Sequence, residues 1–244
     1  MSMVGKTTFI SVIVPVYNES RRIYHLKLIV DYLKTLPLKT ELIVVDDGSK
    51  DDTLKNLRLM NKGKDFMILS YKKNEGKGYA IKRGMLEAKG DYCLFLDVDL
   101  STPISEIQKF LPVLNSAEII VGTRKAKMAN VITPQPLIRK WLGRGFTFLS
   151  QIMLNVWVSD FTCGFKFFSR EAAHKIFSKV KIFRWGFDSE VLYLAKKYGF
   201  RVKEVPVTWE NDLNSKVKFP QDLIISFREL VAIRNNDWFK KSYG

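Results

Sequence analysis

The chain has 244 residues, 46% hydrophobic and 27% charged, with 14 Gly and 8 Pro. That composition excludes a disordered or fibrous chain, and the length suffices for one large core or two small ones. Forty Lys and Arg against 25 Asp and Glu give a net charge of +15, which suits a polyanionic partner: nucleic acid, an anionic membrane surface or a phosphorylated substrate.

Two cysteines, Cys93 and Cys163, are too few for a disulfide framework, and neither sits in a nucleophile signature. No run of about 20 apolar residues reads as membrane-spanning, and the N-terminus lacks the apolar core of a signal peptide. The expected location is the cytoplasm, with the option of a membrane surface.

Phe9 to Val16 is a β-branched apolar run that predicts a buried parallel strand. Ile23, Leu26, Ile29, Val30 and Leu33 then recur at helical spacing within Glu19 to Lys34. A second strand over Glu41 to Val45 ends in Asp46-Asp47, and Asp51 or Asp52 can cap the short helix that follows. Phe66 to Tyr71 predicts a third strand, and Gly76-Lys77-Gly78 opens a helix reaching Ala88. A fourth strand over Asp91 to Leu96 runs into Asp97-Val98-Asp99. Ser101-Thr102-Pro103 starts another helix, and Glu118 to Gly122 is the fifth strand.

This alternation predicts a right-handed, mostly parallel α/β sheet over residues 9–122. Ligands of such sheets gather beyond the carboxyl ends of the strands. Five polar signatures fall at those ends: Tyr17-Asn18-Glu19, Asp46-Asp47, Asn74 to Lys77, Asp97-Val98-Asp99 and Thr123-Arg124.

The second half changes character. No Asp or Glu occurs from Ile119 to Ser159, a window that holds Arg124, Lys125, Lys127, Arg139, Lys140 and Arg144. Inside it, Gly145 to Val158 carries no charge, and Thr147, Gln151 and Asn155 form one thin polar stripe on a helix with a broad apolar face. Two readings stand: a core helix, or an interfacial helix lying in a bilayer beside basic residues. A strand over Phe165 to Ser169, helices over Arg170 to Val180 and Phe187 to Tyr198, a strand over Arg201 to Thr208 and an amphipathic helix from about Phe219 to Arg234 complete the chain.

Asp97 and Asp99, two apart at the end of an apolar strand, can hold one hard divalent cation or divide metal and ribose contacts between them. Gly76-Lys77-Gly78 can bring backbone amides and an ammonium to a diphosphate. Gly5-Lys6-Thr7 is not the end of a P-loop, because no upstream glycine precedes it and a strand follows where a helix is required. His25 and His174 lie on predicted helices without metal-ligand spacing and read as structural or surface residues.

The runs Ser11 to Glu19, Val45 to Ser49, Asn74 to Gly78 and Asp97 to Pro103 together resemble family 2 inverting glycosyltransferases of the GT-A fold. Asp160-Phe-Thr-Cys-Gly-Phe-Lys166 and Arg184-Trp-Gly-Phe-Asp-Ser-Glu190 narrow the resemblance to dolichyl-phosphate β-glucosyltransferases and related polyprenyl-phosphate glycosyltransferases. It covers residues 9–235 and implies one domain spanning 1–244, with a nucleotide-sugar half (9–122) and an acceptor and membrane-surface half (123–235).

Carried over by position, the resemblance implies that Pro15, Tyr17 and Glu19 line base and ribose, and that Asp46 or Asp47 accepts from uracil or ribose. Lys77 and Gly78 approach the base or phosphates. Asp97 and Asp99 serve ribose and metal, with Mg²⁺ or Mn²⁺ as cofactor. Arg124, Arg139 and Arg144 would meet the acceptor phosphate, because guanidinium groups grip phosphate bidentately. Asp160 and Asp188 would orient sugar or acceptor, since a phosphate dianion attacks without a general base.

The implied reaction is transfer of a hexose, foremost glucose from UDP-glucose, to polyprenyl or dolichyl phosphate at the cytoplasmic face of a membrane. Alternatives within the fold are GDP-mannose or UDP-N-acetylhexosamine as donor and a glycan hydroxyl as acceptor. Outside it stand a basic nucleic-acid-binding module, which lacks a helix-turn-helix, zinc or RRM signature, and an inactive membrane adaptor, which the intact Asp97 and Asp99 oppose. Eukaryotic members typically carry an N-terminal membrane anchor and several bacterial relatives C-terminal spans. Neither is seen here, so membrane contact is expected from the basic, apolar second half.

Overall fold

The computed structural model describes residues 8–133, 137–211 and 221–235, with the backbone alone for 137–140 and 221–223. A seven-stranded sheet forms its centre. In chain order its strands are β1 (Phe9–Val16), β2 (Lys39–Asp46), β3 (Met67–Ser70), β4 (Tyr92–Leu96), β5 (Ile119–Thr123), β7 (Phe165–Ser169) and β8 (Val202–Pro206). A two-stranded ribbon pairs β6 (Asn130–Thr133) with β9 (Thr208–Glu210). The helices are α1 (His25–Thr35), α2 (Thr53–Met60), α3 (Lys77–Glu87), α4 (Ile107–Phe110), α5 (Leu137–Leu154), α6 (Arg170–Phe177), α7 (Phe187–Lys197) and α8 (Gln221–Arg234).

Period-two alternation assigns the strand residues to two cores. Val12, Val14 and Val16 of β1 meet Leu26, Ile29 and Leu33 of α1 on one face. Ile13 meets Ala80, Ile81 and Met85 of α3 on the other, where α6 and α7 also pack. Both faces are covered, so the strands are apolar without alternation, as the sequence predicts for a buried sheet. Each fully buried Ile, Leu or Phe contributes about 1.5–3 kcal/mol.

The strand order is β3-β2-β1-β4-β7-β5-β8. The five strands over residues 9–122 all run the same way, as the sequence reading expects, but a strand from the second half enters their order. β4 and β5 are not neighbours. β7 lies between them and runs antiparallel to both, with Leu96 opposite Phe165 and Ile119 opposite Phe168. Hydrophobic periodicity fixes which residues face a core but carries no information on strand direction or order. The consequence is functional: the segment leading into β7, residues 160–164, arrives at the same sheet edge as the end of β4.

Three smaller corrections concern element ends. α5 stops at Leu154, and Asn155 adopts a left-handed φ of 52°, so the polar stripe loses its last member. The predicted strand over Arg201 to Thr208 breaks at Val207, whose N–H donates to Thr123 O and whose carbonyl accepts from Asn130. Ser101-Thr102-Pro103 leads into a 3₁₀ turn over Ile104–Glu106 before α4. The predicted start of the last helix at Phe219 lies outside the described residues, as does Gly5-Lys6-Thr7.

One buried acid on α7 has a defined structural task. Glu190 Oε2 accepts the N–H groups of Lys181 and Ile182 at 3.0 and 2.8 Å. It thereby fixes the turn between α6 and α7, while Lys82 of α3 donates to Val180 O at 2.8 Å. Burial pushes the Glu190 carboxyl up from 4.5 to about 7, against the two N–H bonds and the neighbouring lysines. Between those values the native state keeps a proton that the unfolded chain has lost. Stability therefore falls as pH rises through that window, by about 3 kcal/mol from this group, and is flat above it. Denaturant melts of Glu190→Gln at pH 5 and pH 8 are expected to show most of this loss removed. An unchanged slope in the variant would contradict the assignment.

Candidate active site

The loops at the carboxyl ends of the strands are laced together by side-chain bonds. Asn18, held at a left-handed φ of 49°, donates its N–H to Ser49 Oγ at 2.9 Å and accepts from Lys50 at 2.8 Å. Glu19 donates its N–H to Thr53 Oγ1 at 2.8 Å, and its carboxylate pairs with Arg22 at 3.2 Å. These bonds join the turn after β1, where Tyr17 and Glu19 sit half-buried just past Pro15 of the strand, to the turn after β2.

Asp46 and Asp47 are both buried and both engaged. Asp46 accepts from Ser49 N–H at 3.2 Å and Ser70 Oγ at 3.1 Å. Asp47 accepts Glu75 N–H on one oxygen, and Asn74 Nδ2 and Gly76 N–H on the other, at 2.7–2.9 Å. Asp47 thus shapes the 74–76 loop that delivers Lys77. Burial raises its carboxyl, opposed by these N–H bonds. Close by, the Tyr71 hydroxyl is buried, and burial followed by its interaction with Asp47 raises its pKa.

Lys77 opens α3 and reaches across to β4, where its Nζ lies 2.5 Å from Asp97 Oδ1. Burial would lower its pKa, but the charges of Asp97, Asp188 and Asp99 outweigh that and hold it raised. Asp97 rests on Gly164, where a Cβ would stand 2.1 Å from Asp97 Oδ2. Only glycine permits that approach, which gives the Gly164 of the 160–166 run its physical reason. Gly78 N–H donates to Phe183 O at 2.9 Å, fixing the start of α3.

Asp99 differs from its neighbours. Its Oδ1 accepts Ser101 N–H at 2.9 Å, and among the described residues it forms no ion pair. Burial and the Asp97 charge raise its carboxyl, against the Ser101 bonds and Lys77. The turn between the two acids is pinned by His25, whose Nδ1–H donates to Val98 O at 2.8 Å. A cavity of about 600 Å³ opens here, lined by Asn18, Glu19, Arg21, His25, Asp99 and Ser101 among others.

Two ion pairs border the acids. Asp160, buried, is gripped by Arg124 through Nε and Nη2, both at 2.7 Å, and through the Arg124 N–H at 3.1 Å. Burial would raise this carboxyl, but the guanidinium holds it well below the usual carboxylate range. Arg124 also donates to Thr162 Oγ1 at 2.9 Å and stacks over Trp209 with its Cζ 5.2 Å from the ring. Sequence reasoning expected Arg124 to meet an acceptor phosphate. Its Nε and Nη2 donate to Asp160.

The second pair was not anticipated. Lys166, fully buried in β7, places Nζ 2.5 Å from Asp188 Oδ1 and 2.7 Å from Cys163 O. Burial pushes Asp188 up, and the ammoniums of Lys166 and Lys77 pull it back. The signal was a lone Lys inside the apolar run Phe165 to Phe168, which demands a buried acidic partner.

The remaining predicted arginines lie farther out. Arg144 is exposed on α5 with its guanidinium 5.5 Å from the Trp141 ring, and the Arg139 side chain lies outside the described residues. α5 buries Leu154 and packs Phe146 and Met153 against the core, yet it also turns polar side chains inward and apolar ones outward. Ser150 is buried, Thr147 accepts Lys125 Nζ at 2.6 Å, and Gln151 donates to Val158 O at 2.8 Å, all turned toward the protein. Trp141, Phe148 and Ile152 point to solvent at 67%, 62% and 55% exposure. α8 packs beside it and exposes Ile224, Ile225 and Phe227. Among the described residues no helix is long and apolar enough to cross a membrane.

Comparison with known proteins places this geometry. The family model for glycosyl transferase family 2 matches residues 11–177. A dolichyl-phosphate beta-glucosyltransferase of Dictyostelium discoideum is 33% identical over 92% of this chain and 76% of its own length. That of Homo sapiens is 35% identical over 86% of this chain and 70% of its own length. Among solved structures, glucosyl-3-phosphoglycerate synthase from Mycobacterium tuberculosis, in complex with Mn²⁺, UDP and glucosyl-3-phosphoglycerate, is 20% identical. It superposes with a TM-score of 0.63 over 93% of this chain and 78% of that one, a shared GT-A fold. The mostly parallel sheet flanked by helices, the aspartates after β4 and the matched family model agree: this chain belongs to glycosyl transferase family 2.

Proposed function

We propose that this chain transfers glucose from UDP-glucose to dolichyl or another polyprenyl phosphate, with inversion, at a membrane surface. One observation carries the reading. Gly164, which rests on Asp97, follows Asp160 of the Arg124–Asp160 pair by four residues, and Lys125, next to Arg124, reaches Thr147 of α5, a helix that exposes Trp141, Phe148 and Ile152. A water-soluble donor and a lipid-borne acceptor can meet at such a border. The names of the curated relatives supply the sugar and the lipid, and the Mn²⁺ and UDP of the structural neighbour support a nucleoside diphosphate donor.

Asp97 and Asp99 fit a divalent cation. Among the described residues no cluster of three or more acidic, His or Cys side chains forms a complete metal cage. Two carboxylates with substrate phosphates completing the shell is the usual arrangement for Mg²⁺, and among the described residues Asp99 forms no ion pair. When bound, such a cation neutralises the departing diphosphate as a Lewis acid.

The chain's own residues do the rest. Lys77 holds Asp97 in place and adds positive charge beside the leaving group. Pro15, Tyr17, Glu19 and the Asp46–Asp47 turn form the wall for base and ribose, with Gly78 at the start of α3 behind Lys77. Asp160 stays ionised and filled by Arg124, so it orients and does not accept a proton. Asp188, locked to Lys166, has the same positioning role. The acceptor needs no base, because a phosphomonoester with second pKa near ~6 is already a dianion at neutral pH. Arg144, beside Trp141 on the outward face, and Arg139 are the basic residues for the lipid phosphate.

The direct test is transfer of labelled glucose from UDP-glucose into the organic phase with polyprenyl phosphate and Mn²⁺. Transfer is expected to stop with a chelator and to fall about 100-fold or more in Asp99→Ala. Absence of lipid label, alongside an active relative, would refute the acceptor. Label from GDP-mannose or UDP-N-acetylglucosamine alone would refute the sugar.

Two further outcomes follow from the roles assigned. The rate at limiting acceptor should rise with pH through about 6, the second ionisation of the acceptor phosphate. Asp160→Asn should be slower but keep that same profile, whereas loss of the rise with pH would return a base role to Asp160. Replacing both Trp141 and Phe148 with Glu should weaken binding to anionic vesicles at least about 10-fold, since each buried side chain is worth roughly 1.5–3 kcal/mol. The KM for UDP-glucose without vesicles should stay unchanged.

A further inference from the structure

Helix α8 lies beyond the residues matched by the family model and carries a carboxylate that the reaction above does not use. Its inner face buries Ser226, Leu230 and Ile233, and its outer face exposes Ile224, Ile225 and Phe227. Glu229 sits half-buried at the border, and its Oε2 accepts the Gly186 N–H at 2.7 Å. The approach is tight: a Cβ on Gly186 would stand 2.8 Å from the Glu229 Cβ and Oε2.

Gly186 leads directly into α7 and Asp188. The residues before it lean on the donor side of the site. Arg184 Nη1 donates to Asn74 Oδ1 at 3.4 Å, and Asn74 Nδ2 donates to Asp47 Oδ2 at 2.7 Å. Phe183 O accepts the Gly78 N–H at 2.9 Å, next to Lys77. Residues 183–186 are therefore held by α8 on one side and support the Asp47 loop and the start of α3 on the other.

We propose that Glu229 is a positioning residue that ties the outward apolar helix α8 to the donor-side loop, so that seating α8 on a membrane tightens binding of the nucleotide sugar. This rests on the membrane-surface reading given under the proposed function. Lipid contact with Ile224, Ile225 and Phe227 favours the docked arrangement of α8. In that arrangement Glu229 meets Gly186, and segment 183–186 keeps its outer support. Without the carboxylate, the seated helix loses the Glu229–Gly186 hydrogen bond through which it acts on the loop. Linkage makes the effect reciprocal: bound donor tightens lipid association by the same factor.

The test is titration of UDP-glucose into the full chain with Mn²⁺, with and without vesicles of phosphatidylcholine and phosphatidylserine. Wild-type protein is expected to bind donor about 5-fold more tightly on vesicles. Glu229→Ala should sediment with vesicles like wild type yet show one donor affinity in both conditions. Glu229→Gln, which keeps an accepting oxygen, should restore the difference, a rescue that a mere packing role would not require. Vesicle binding without any gain in wild-type donor affinity, a wild-type gain in Glu229→Ala, or failure of the Gln variant to rescue would overturn the tie and leave the membrane reading intact. Failure of wild-type protein to bind vesicles or donor at all would overturn both.

Discussion

Negative charge crowded at one sheet edge is the constraint around which this protein is arranged. Asp97, Asp99, Asp160 and Asp188 converge beyond β4 and β7, partly or wholly out of water. Buried carboxylates are tolerated when each has a cation or a set of N–H donors. Arg124 answers Asp160, Lys166 answers Asp188, and Lys77 answers Asp97. Asp99 is left with the Ser101 N–H and the distant field of Lys77. A site that neutralises all but one of its acids is electrostatically unfinished, and on the proposed reading a divalent cation arriving with the donor diphosphate would complete it.

The same constraint explains the sheet order. A purely parallel arrangement would place β5 beside β4 and carry residues 160–164 elsewhere. Inserting β7 antiparallel brings Gly164 against Asp97, Lys166 toward α7 and Asp160 to Arg124 at the end of β5. A second asymmetry governs the surface. α5 spends its polar side chains inward, on Lys125 and the return loop, and leaves Trp141, Phe148 and Ile152 outside. In water alone that orientation costs free energy, whereas a lipid boundary reverses the sign.

Much of this was legible in the sequence, for identifiable reasons. β1 and β7 fall where the apolar runs place them, because continuous apolar strands bounded by polar turns have few alternatives. The five polar turns converge as expected, because parallel strands fed by right-handed crossovers bring their carboxyl ends to one edge. The place of β7 was illegible, since strand direction leaves no periodic trace. Arg124 was recognised as a site residue but not as the partner of Asp160, which lies 36 residues away in sequence. Lys166 stood in a quoted motif without a role, although a charge among phenylalanines requires a partner. Glu229 carried no local signal, because its task exists only once α8 packs beside α7.

The central claim is that Asp97 and Asp99 form an incomplete cation site that the donor diphosphate finishes. It is tested most directly by titrating Mn²⁺ into the protein in the absence and presence of saturating UDP, followed calorimetrically. The account requires weak binding of Mn²⁺ alone, at least about a 10-fold gain with UDP, and loss of that gain in Asp99→Asn. Mn²⁺ that binds equally well without UDP, or a gain that survives Asp99→Asn, would contradict it.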